Sequence, residues 1–156
     1  MGKSDSIWAK VDLKSSHEKF YGFFRNHLGD LVDLFPENFN SIQLVEGQHF
    51  DRGSLVLSKY EFGHEHRVEK WVIRAVDDVK KYIVYEAVEG EALKQFKVLR
   101  AKVEAVHGGS TKVGGGNFTK LTIEFEKANE NVASPEIYLE LFVKIAKGVD
   151  AYFSNN

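Results

Sequence analysis

The histidines are the side chains best suited to chemistry in this chain, and two of them are closely spaced. His64 and His66 flank Glu65, and His49 lies on the preceding loop. Imidazole and carboxylate groups are common zinc ligands, and a strand would place His64 and His66 on one face. However, no cysteine and no further spaced carboxylate completes a four-ligand set. We therefore predict a solvated turn at these histidines and no metal site.

The other reactive residue types show no catalytic spacing. His17, His27 and His107 lie far apart in the sequence and form no recognisable unit. The sequence has no nucleophile elbow, Walker loop, dinucleotide-binding fingerprint or paired catalytic carboxylates. From these patterns we predict no catalytic residue and no cofactor.

Composition and charge are those of an ordinary globular protein. The 156 residues carry a formal charge of −2 and no cysteine, and 43% of them are hydrophobic. This length suits one domain spanning residues 1–156. Nucleic-acid-binding proteins usually have a basic surface, so we expect no nucleic-acid partner.

The N-terminal segment shows no secretory signal, and no apolar run approaches the length of a membrane span. We therefore expect a cytoplasmic protein with no stable membrane insertion, present as a monomer or weak homodimer. Met1-Gly2 with Ser6 matches the loose myristoylation pattern, although no polybasic patch follows it. The sequence leaves open whether Gly2 is acylated.

The C-terminal segment predicts a long helix that is apolar on more than one side. Ser134 is a suitable N-cap, Pro135 suits the first helical position, and Glu136 complements the positive helix end. Apolar residues occupy most positions from there to Phe153. A surface helix has one apolar stripe about 100° wide, so this helix must be enclosed on several sides.

The preceding sequence predicts mostly strands. Ser15 or Ser16 caps a first helix bearing Phe20, Phe23 and Phe24, and a second short helix ends before Pro36. A flexible glycine-rich connector covers 108–116, and short turns between the other strands indicate antiparallel pairing. The predicted strands are Ile7–Leu13, Ile42–Glu46, Ser54–Phe62, Val68–Val76, Tyr82–Val88, Phe96–Val106 and Phe118–Glu126. We predict an α+β fold.

This element order and several local motifs resemble the birch-pollen-allergen, class-10 pathogenesis-related superfamily of plant proteins, and within it the major latex protein-like branch. The similarity runs in register over essentially the whole chain. The motifs that carry it are Lys14-Ser15-Ser16, Leu34-Phe35-Pro36, Val45-Glu46-Gly47, Gly53-Ser54, Ala75-Val76-Asp77, Val88-Glu89-Gly90, Phe125-Glu126-Lys127-Ala128-Asn129-Glu130 and Pro135-Glu136.

The resemblance implies a START-like helix-grip fold, with a seven-stranded curved antiparallel sheet around the C-terminal helix and an internal cavity. Two motifs depart from the family. The glycine-rich loop retains only its outer glycines, Gly47 and Gly53, which weakens a phosphate-binding interpretation. The acidic turn Glu89-Gly90-Glu91-Ala92 lacks the gate signature of the hormone receptors in the superfamily.

Alignment with the family, combined with strand alternation, predicts which side chains face the cavity. For each of them plain core packing is the competing interpretation. Tyr60, Tyr85, Tyr138 and Ser58 are the most suggestive, because a buried hydroxyl requires a partner that a ligand can supply. The predicted ligand-binding residues are Phe24, Phe35, Val56, Ser58, Tyr60, Phe62, Trp71, Ile73, Ile83, Tyr85, Ala87, Leu99, Ala101, Val103, Tyr138, Leu141, Phe142 and Ile145.

Three further residues lie at positions that have catalytic roles in some relatives or have been invoked for such roles. Lys120 lies near the position of an acid–base lysine, but its strand places Leu121, Ile123 and Phe125 on the apolar face and Lys120 on the other. Asp150 and Tyr152 correspond to positions invoked for ribonuclease activity. We interpret Lys120 as a surface lysine, and Asp150 and Tyr152 as the polar and apolar sides of the last helical turns.

The resemblance implies a binding or carrier protein for small hydrophobic plant metabolites, which could be steroid-, terpenoid-, phenolic- or lipid-like and associated with defence or specialised metabolism. Two alternatives remain open. The same cavity could serve a cofactor-independent cyclase, isomerase or condensing enzyme, or the chain could be a protein-interaction module with a vestigial cavity. Entry to the cavity would use Gly29 and the loop 47–53 as flexible points.

Overall fold

The computed structural model describes residues 4–108 and 116–154, apart from the Phe62 side chain. Met1, Gly2 and most of the predicted glycine-rich connector lie outside the described residues. The elements, in chain order, are β1 Asp5–Asp12, α1 His17–Asn26, a 3-10 turn Leu28–Asp30, α2 Leu31–Leu34, β2 Phe39–Glu46, β3 Leu55–Phe62, β4 Glu65–Asp77, β5 Tyr82–Gly90, α3 Ala92–Gln95, β6 Phe96–Val106, β7 Phe118–Lys127 and α4 Glu136–Ser154.

The seven strands form one antiparallel sheet in the order β1-β7-β6-β5-β4-β3-β2. Register shifts interrupt the pairing of β4 with β5 between Lys70 and Trp71 and between Ile73 and Ala75. Such bulges bend a strand and increase its twist, which helps the sheet to curve. The predicted helix-grip fold is confirmed, with α4 packed against β1 and β7.

The first helix begins where its capping residue predicts. The Ser16 hydroxyl accepts a hydrogen bond from the Lys19 amide at 3.0 Å, and Phe20, Phe23 and Phe24 are buried on the inner face. One short helix, α3, was not predicted. It spans a single turn between β5 and β6, too short for a periodic pattern.

Asp150 links the C-terminal part of α4 to the segment between β1 and α1 by hydrogen bonds. Its carboxylate accepts hydrogen bonds from the amides of Lys14 (3.1 Å) and Ser15 (2.9 Å) and from the Ser15 hydroxyl (2.6 Å). Asp150 is only 7% exposed. The prediction placed Asp150 on the polar side of the last helical turns, and it did not identify these partners, because the backbone donors are more than 130 positions away in the sequence.

The loop 47–53 is held against α1 by one arginine. The Arg25 guanidinium donates to the Phe50 carbonyl at 2.6 Å and pairs with Asp51 and Asp78 at 3.4 and 3.0 Å. The Ser54 hydroxyl donates to the His49 carbonyl at 2.6 Å. These contacts make the loop a poor candidate for the flexible entrance that its glycines suggested.

None of the helices within residues 4–108 and 116–154 is long and apolar enough to cross a membrane.

Candidate functional site: an apolar cavity between the sheet and α4

A cavity of about 140 Å³ lies between the inner face of the sheet and α4. The 3-10 turn, α1 and α2 contribute residues to its wall. Its lining is almost entirely apolar or aromatic, and serine and tyrosine are its only polar residue types among the described residues. The lining residues are Phe24, Leu28, Leu31, Phe39, Ile42, Ser58, Tyr60, Trp71, Tyr85, Ala101, Ile123, Tyr138, Leu141, Phe142 and Ile145.

Most of the side chains predicted to face the cavity do border it. The structure brings together Phe24, Ser58, Tyr60, Trp71, Tyr85, Ala101, Tyr138, Leu141, Phe142 and Ile145. Others are buried in the core without bordering the cavity; these are Phe35, Val56, Ile73, Ile83, Ala87, Leu99 and Val103. The Phe62 side chain lies outside the described part of the chain. Ligand contact by any of these residues stays a prediction.

One row of paired residues, running across three neighbouring strands, borders the cavity. The next such row does not border it and is packed in the core. Ala101 in β6 pairs with Tyr85 in β5 and with Ile123 in β7, and all three border the cavity. Two residues further along, Val103 pairs with Ile83, and both are 1% exposed. Helix α1 packs against β5 and β6, and the second row belongs to the packed core.

Three other predicted residues are packed beside large aromatic or helical neighbours. Val56 and Ala87 both pair with Trp71, and they are 2% and 3% exposed. Phe35 packs instead against Gly148 of α4, where a Cβ atom would lie 2.2 Å from the ring. Strand alternation identifies the inner face but does not show which part of that face a neighbour covers.

Sequence reasoning missed Leu28, Leu31, Phe39, Ile42 and Ile123. Leu28 and Leu31 come from the segment between α1 and β2, where no strand alternation exists to indicate direction. Ile123 carried a usable signal, because its strand alternates apolar and polar residues. It also pairs directly with Ala101, which was predicted.

Two tyrosines that border the cavity direct their hydroxyls into a buried polar network. The Tyr60 hydroxyl donates to Glu69, whose side chain is fully buried. The Tyr138 hydroxyl accepts a hydrogen bond from Arg67 at 2.7 Å. Burial, assisted by the negative charge of Glu69, raises the pKa of Tyr60 far above its usual value and that of Tyr138 to about 12. Both phenols are therefore neutral at physiological pH.

Tyr85 and Ser58 are the polar groups best placed for a ligand. The Tyr85 hydroxyl lies 3.5 Å from the Phe24 carbonyl, at the long limit of a hydrogen bond. Burial raises the pKa of Tyr85, so its hydroxyl is a neutral donor. Ser58 borders the cavity and is half-buried, and its hydroxyl can donate or accept.

No histidine, lysine or carboxylate is among the described residues that border the cavity. Lys120 is exposed, and its ammonium lies 4.9 Å from the Trp8 ring centroid, away from the interior. The prediction of a surface lysine agrees with this position. His64 and His66 are exposed at the β3–β4 hairpin, and His66 lies 2.8 Å from Glu61. In the described part of the chain, no three His, Cys, Asp or Glu residues are placed to hold a metal ion.

One histidine prediction was wrong. His17 and His107 form a pair, with ring centroids 4.8 Å apart in an edge-to-face arrangement. His17 opens α1 and His107 follows β6, so 90 positions of sequence separate two rings that the fold places in contact. They lie in a separate surface cleft with Lys81 and Glu104.

The comparisons with known proteins agree on the family. The model of the pathogenesis-related protein Bet v 1 family matches residues 3–156. MLP-like protein 34 of Arabidopsis thaliana is 34% identical over 151 residues, which cover 96% of this chain and 46% of that protein. This chain therefore spans about half the length of that relative.

Solved structures of similar fold include a major latex-like protein and a synthase. Major latex-like protein 151 from Panax ginseng is 24% identical with a TM-score of 0.89, and the alignment covers 96% of this chain and 97% of that one. Norcoclaurine synthase from Thalictrum flavum, in complex with dopamine and hydroxybenzaldehyde, is 16% identical with a TM-score of 0.77, over 97% and 87% of the two chains. At these identities the likeness establishes the fold.

Proposed function

Because the chain belongs to the pathogenesis-related protein Bet v 1 family, we propose that it binds and carries small hydrophobic molecules in its internal cavity. The ligand class is that of steroid-, terpenoid-, phenolic- or lipid-like plant metabolites, carried inside the cell in defence or specialised metabolism. The observation that carries this proposal is the apolar cavity between the sheet and α4. Burial of apolar surface is the driving force, at about 25 cal/mol per Å².

The cavity volume sets the size of ligand that binds without rearrangement. At about 140 Å³ it matches a benzene-sized ring. Sites for larger ligands usually measure roughly 300–1,000 Å³. A steroid- or terpenoid-sized molecule therefore requires the cavity to expand, whereas a single aromatic ring fits it as it is.

The two available hydroxyls set the orientation of the ligand. Tyr85 and Ser58 both belong to the lining, and one polar group on an otherwise apolar ligand can bond to either of them. Tyr60 and Tyr138 contribute ring surface, because their hydroxyls are engaged by Glu69 and Arg67.

A cofactor-independent enzyme is the second candidate, favoured by the fold that this chain shares with norcoclaurine synthase. The lining argues for the carrier. Among the described residues it offers only neutral tyrosines and one serine as proton donors or acceptors. General acid–base catalysis works best with a group whose pKa is near the working pH. Turnover of candidate amines and aldehydes by the purified protein would establish the enzyme instead.

The carrier is tested by isothermal titration calorimetry with indole as a neutral aromatic probe, and with a variant that fills the cavity. Ala101→Leu adds side-chain volume at the centre of the lining row, and we expect it to weaken probe binding by about tenfold or more. Lys102→Leu changes the neighbouring side chain on the opposite face of the sheet and is the matched control. Equal probe affinity in both variants and the unmodified protein would contradict the proposal.

A further inference from the structure

A second cleft, of about 400 Å³, adjoins the cavity, and Tyr138 borders both. The cleft lies between the β3–β4 hairpin, the end of α3 and the residues that lead into α4. Unlike the cavity it has a charged wall, formed by Arg67 and Glu65. The apolar cavity and the charged cleft share the Tyr138 side chain, so together they present two neighbouring surfaces of different chemistry to a molecule with two chemically different ends.

Arg67 is the central residue of this charged wall. The nitrogen atoms of its guanidinium group contact different residues on the inner and the outer side. On the inner side, Nη1 donates to the Tyr138 hydroxyl at 2.7 Å and lies 3.6 Å from Glu69. On the outer side, Nε and Nη2 lie 3.0 and 2.8 Å from one carboxylate oxygen of Glu65. The outer side is the fork that arginine offers to a carboxylate.

The two glutamates that contact Arg67 differ in how firmly they are held. The Glu69 side chain is 0% exposed and also accepts hydrogen bonds from the Tyr60 hydroxyl and, at 3.1 Å, from the Ala92 amide. The Glu65 side chain is 66% exposed. Ion pairs with an exposed partner contribute little, so Glu65 can leave Arg67 at low cost, whereas Glu69 cannot.

We propose that the cleft is the polar half of the ligand site and that it binds acidic amphiphiles. The ligand's carboxylate takes the place of Glu65 on Arg67, and its hydrocarbon part passes Tyr138 into the cavity. This rests on the proposed function, because it uses the same cavity. Exchanging one carboxylate for another leaves the charge around Arg67 and Glu69 unchanged, so the site accepts a negative head group although it contains a buried glutamate.

The test compares decanoate with 1-decanol, which share an alkyl chain and differ in the head group, by isothermal titration calorimetry. Glu65→Gln weakens the internal competitor, and we expect it to raise decanoate affinity about threefold without changing 1-decanol affinity. Glu61→Gln removes the same charge from the same hairpin, where it pairs with His66, and is the matched control. We expect this control to alter neither affinity.

Arg67→Gln provides the opposite change. It removes the charged fork, and we expect decanoate affinity to fall about tenfold while 1-decanol still binds. Because Arg67 is buried beside Glu69, this variant can fail to fold. In that case the decanoate affinity of Glu65→Gln, a substitution at the surface, tests the proposal. The inference is overturned if 1-decanol binds and Glu65→Gln leaves decanoate affinity equal to that of Glu61→Gln. Absence of binding by both probes while indole binds would overturn this inference alone, and absence of indole binding as well would overturn the carrier proposal itself.

Discussion

Tyr60, Tyr85 and Tyr138 border the same cavity, yet their hydroxyls are held in different ways. Tyr60 and Tyr138 bond to Glu69 and Arg67, whereas Tyr85 has one long contact to a backbone carbonyl. Strand alternation predicts that the Tyr60 and Tyr85 rings point inward, and the family resemblance implies the same for Tyr138 of α4. It does not predict the hydroxyl partners, because Tyr138 and Arg67 are 71 positions apart. The polar character of the site therefore becomes visible only in the folded structure.

Asp150 is the residue on which we expect attachment of α4 to depend most. Asp150→Ala leaves the Lys14 and Ser15 donors without their carboxylate partner, and we expect the free energy of unfolding to fall by about 3 kcal/mol. Urea denaturation measures this loss. Asp12→Ala is the control, because the Asp12 side chain is 90% exposed, and we expect it to change stability by less than about 0.5 kcal/mol. Equal stability of the two variants would contradict this role.

His17 gives a pH-dependent prediction. Burial, and then the charges of His107 and Lys81, lower the pKa of His17 below 6.5, against a smaller opposing effect of Glu18. Below about pH 6.5 the unfolded chain therefore binds a proton more readily than the folded protein, and stability falls as the pH decreases. NMR titration of the imidazole protons measures the pKa, and we expect His107→Gln to raise it. A midpoint at or above 6.5 in the unmodified protein would contradict the prediction.

At the scale of elements, the close packing of α2 on α4 depends on a glycine. Gly148 lies in α4 where a Cβ atom would come within 2.2 Å of the Phe35 ring. Phe35 is 7% exposed, so its ring has little room to move. Glycine has a low helix propensity, but because it lacks a side chain it allows this close contact.

Gly148→Ala and Gly22→Ala form a matched pair of helix substitutions. Alanine at 148 overpacks the contact with Phe35, and we expect it to destabilise the protein by about 1–3 kcal/mol. Gly22 lies in α1, where an added methyl group would have nothing within 4 Å, so alanine there should stabilise by about 0.5–1 kcal/mol. Thermal unfolding of both variants measures the difference, and a stabilising Gly148→Ala would contradict the packing argument.

The strands and long helices could be predicted well from the sequence, and the site less completely. The bounds of Phe96–Val106 coincide with β6, because its alternation is regular and its ends are marked by turns. Alternation places Val56 and Ala87 on the inner face beside Trp71, yet only Trp71 of the three borders the cavity. Leu28 and Leu31 come from a segment without strand periodicity. Alternation thus identifies an inner face, whereas the packing of the folded chain decides which residues of that face border the cavity.

At the scale of the whole molecule, the sheet and α4 enclose an interior that side chains do not fill. Helix α1 packs on β5 and β6, and the Phe96 and Phe125 rings pack against each other with centroids 6.0 Å apart. The apolar cavity lies between the sheet and α4, and Tyr138 borders both this cavity and the charged cleft. The proposed binding of small hydrophobic molecules rests on this fold, on the apolar lining of the cavity and on family membership.

The most direct test of this claim is a methyl NMR titration with indole, a neutral aromatic molecule of suitable size. We expect shifts at lining methyl groups such as those of Leu28, Ile42, Ile123, Leu141 and Ile145. The exposed valines serve as internal controls and should not shift; they are Val45, Val68 and Val79. Saturable shifts confined to the lining would support an internal binding site. No shifts at millimolar indole, or shifts at the exposed valines alone, would contradict it.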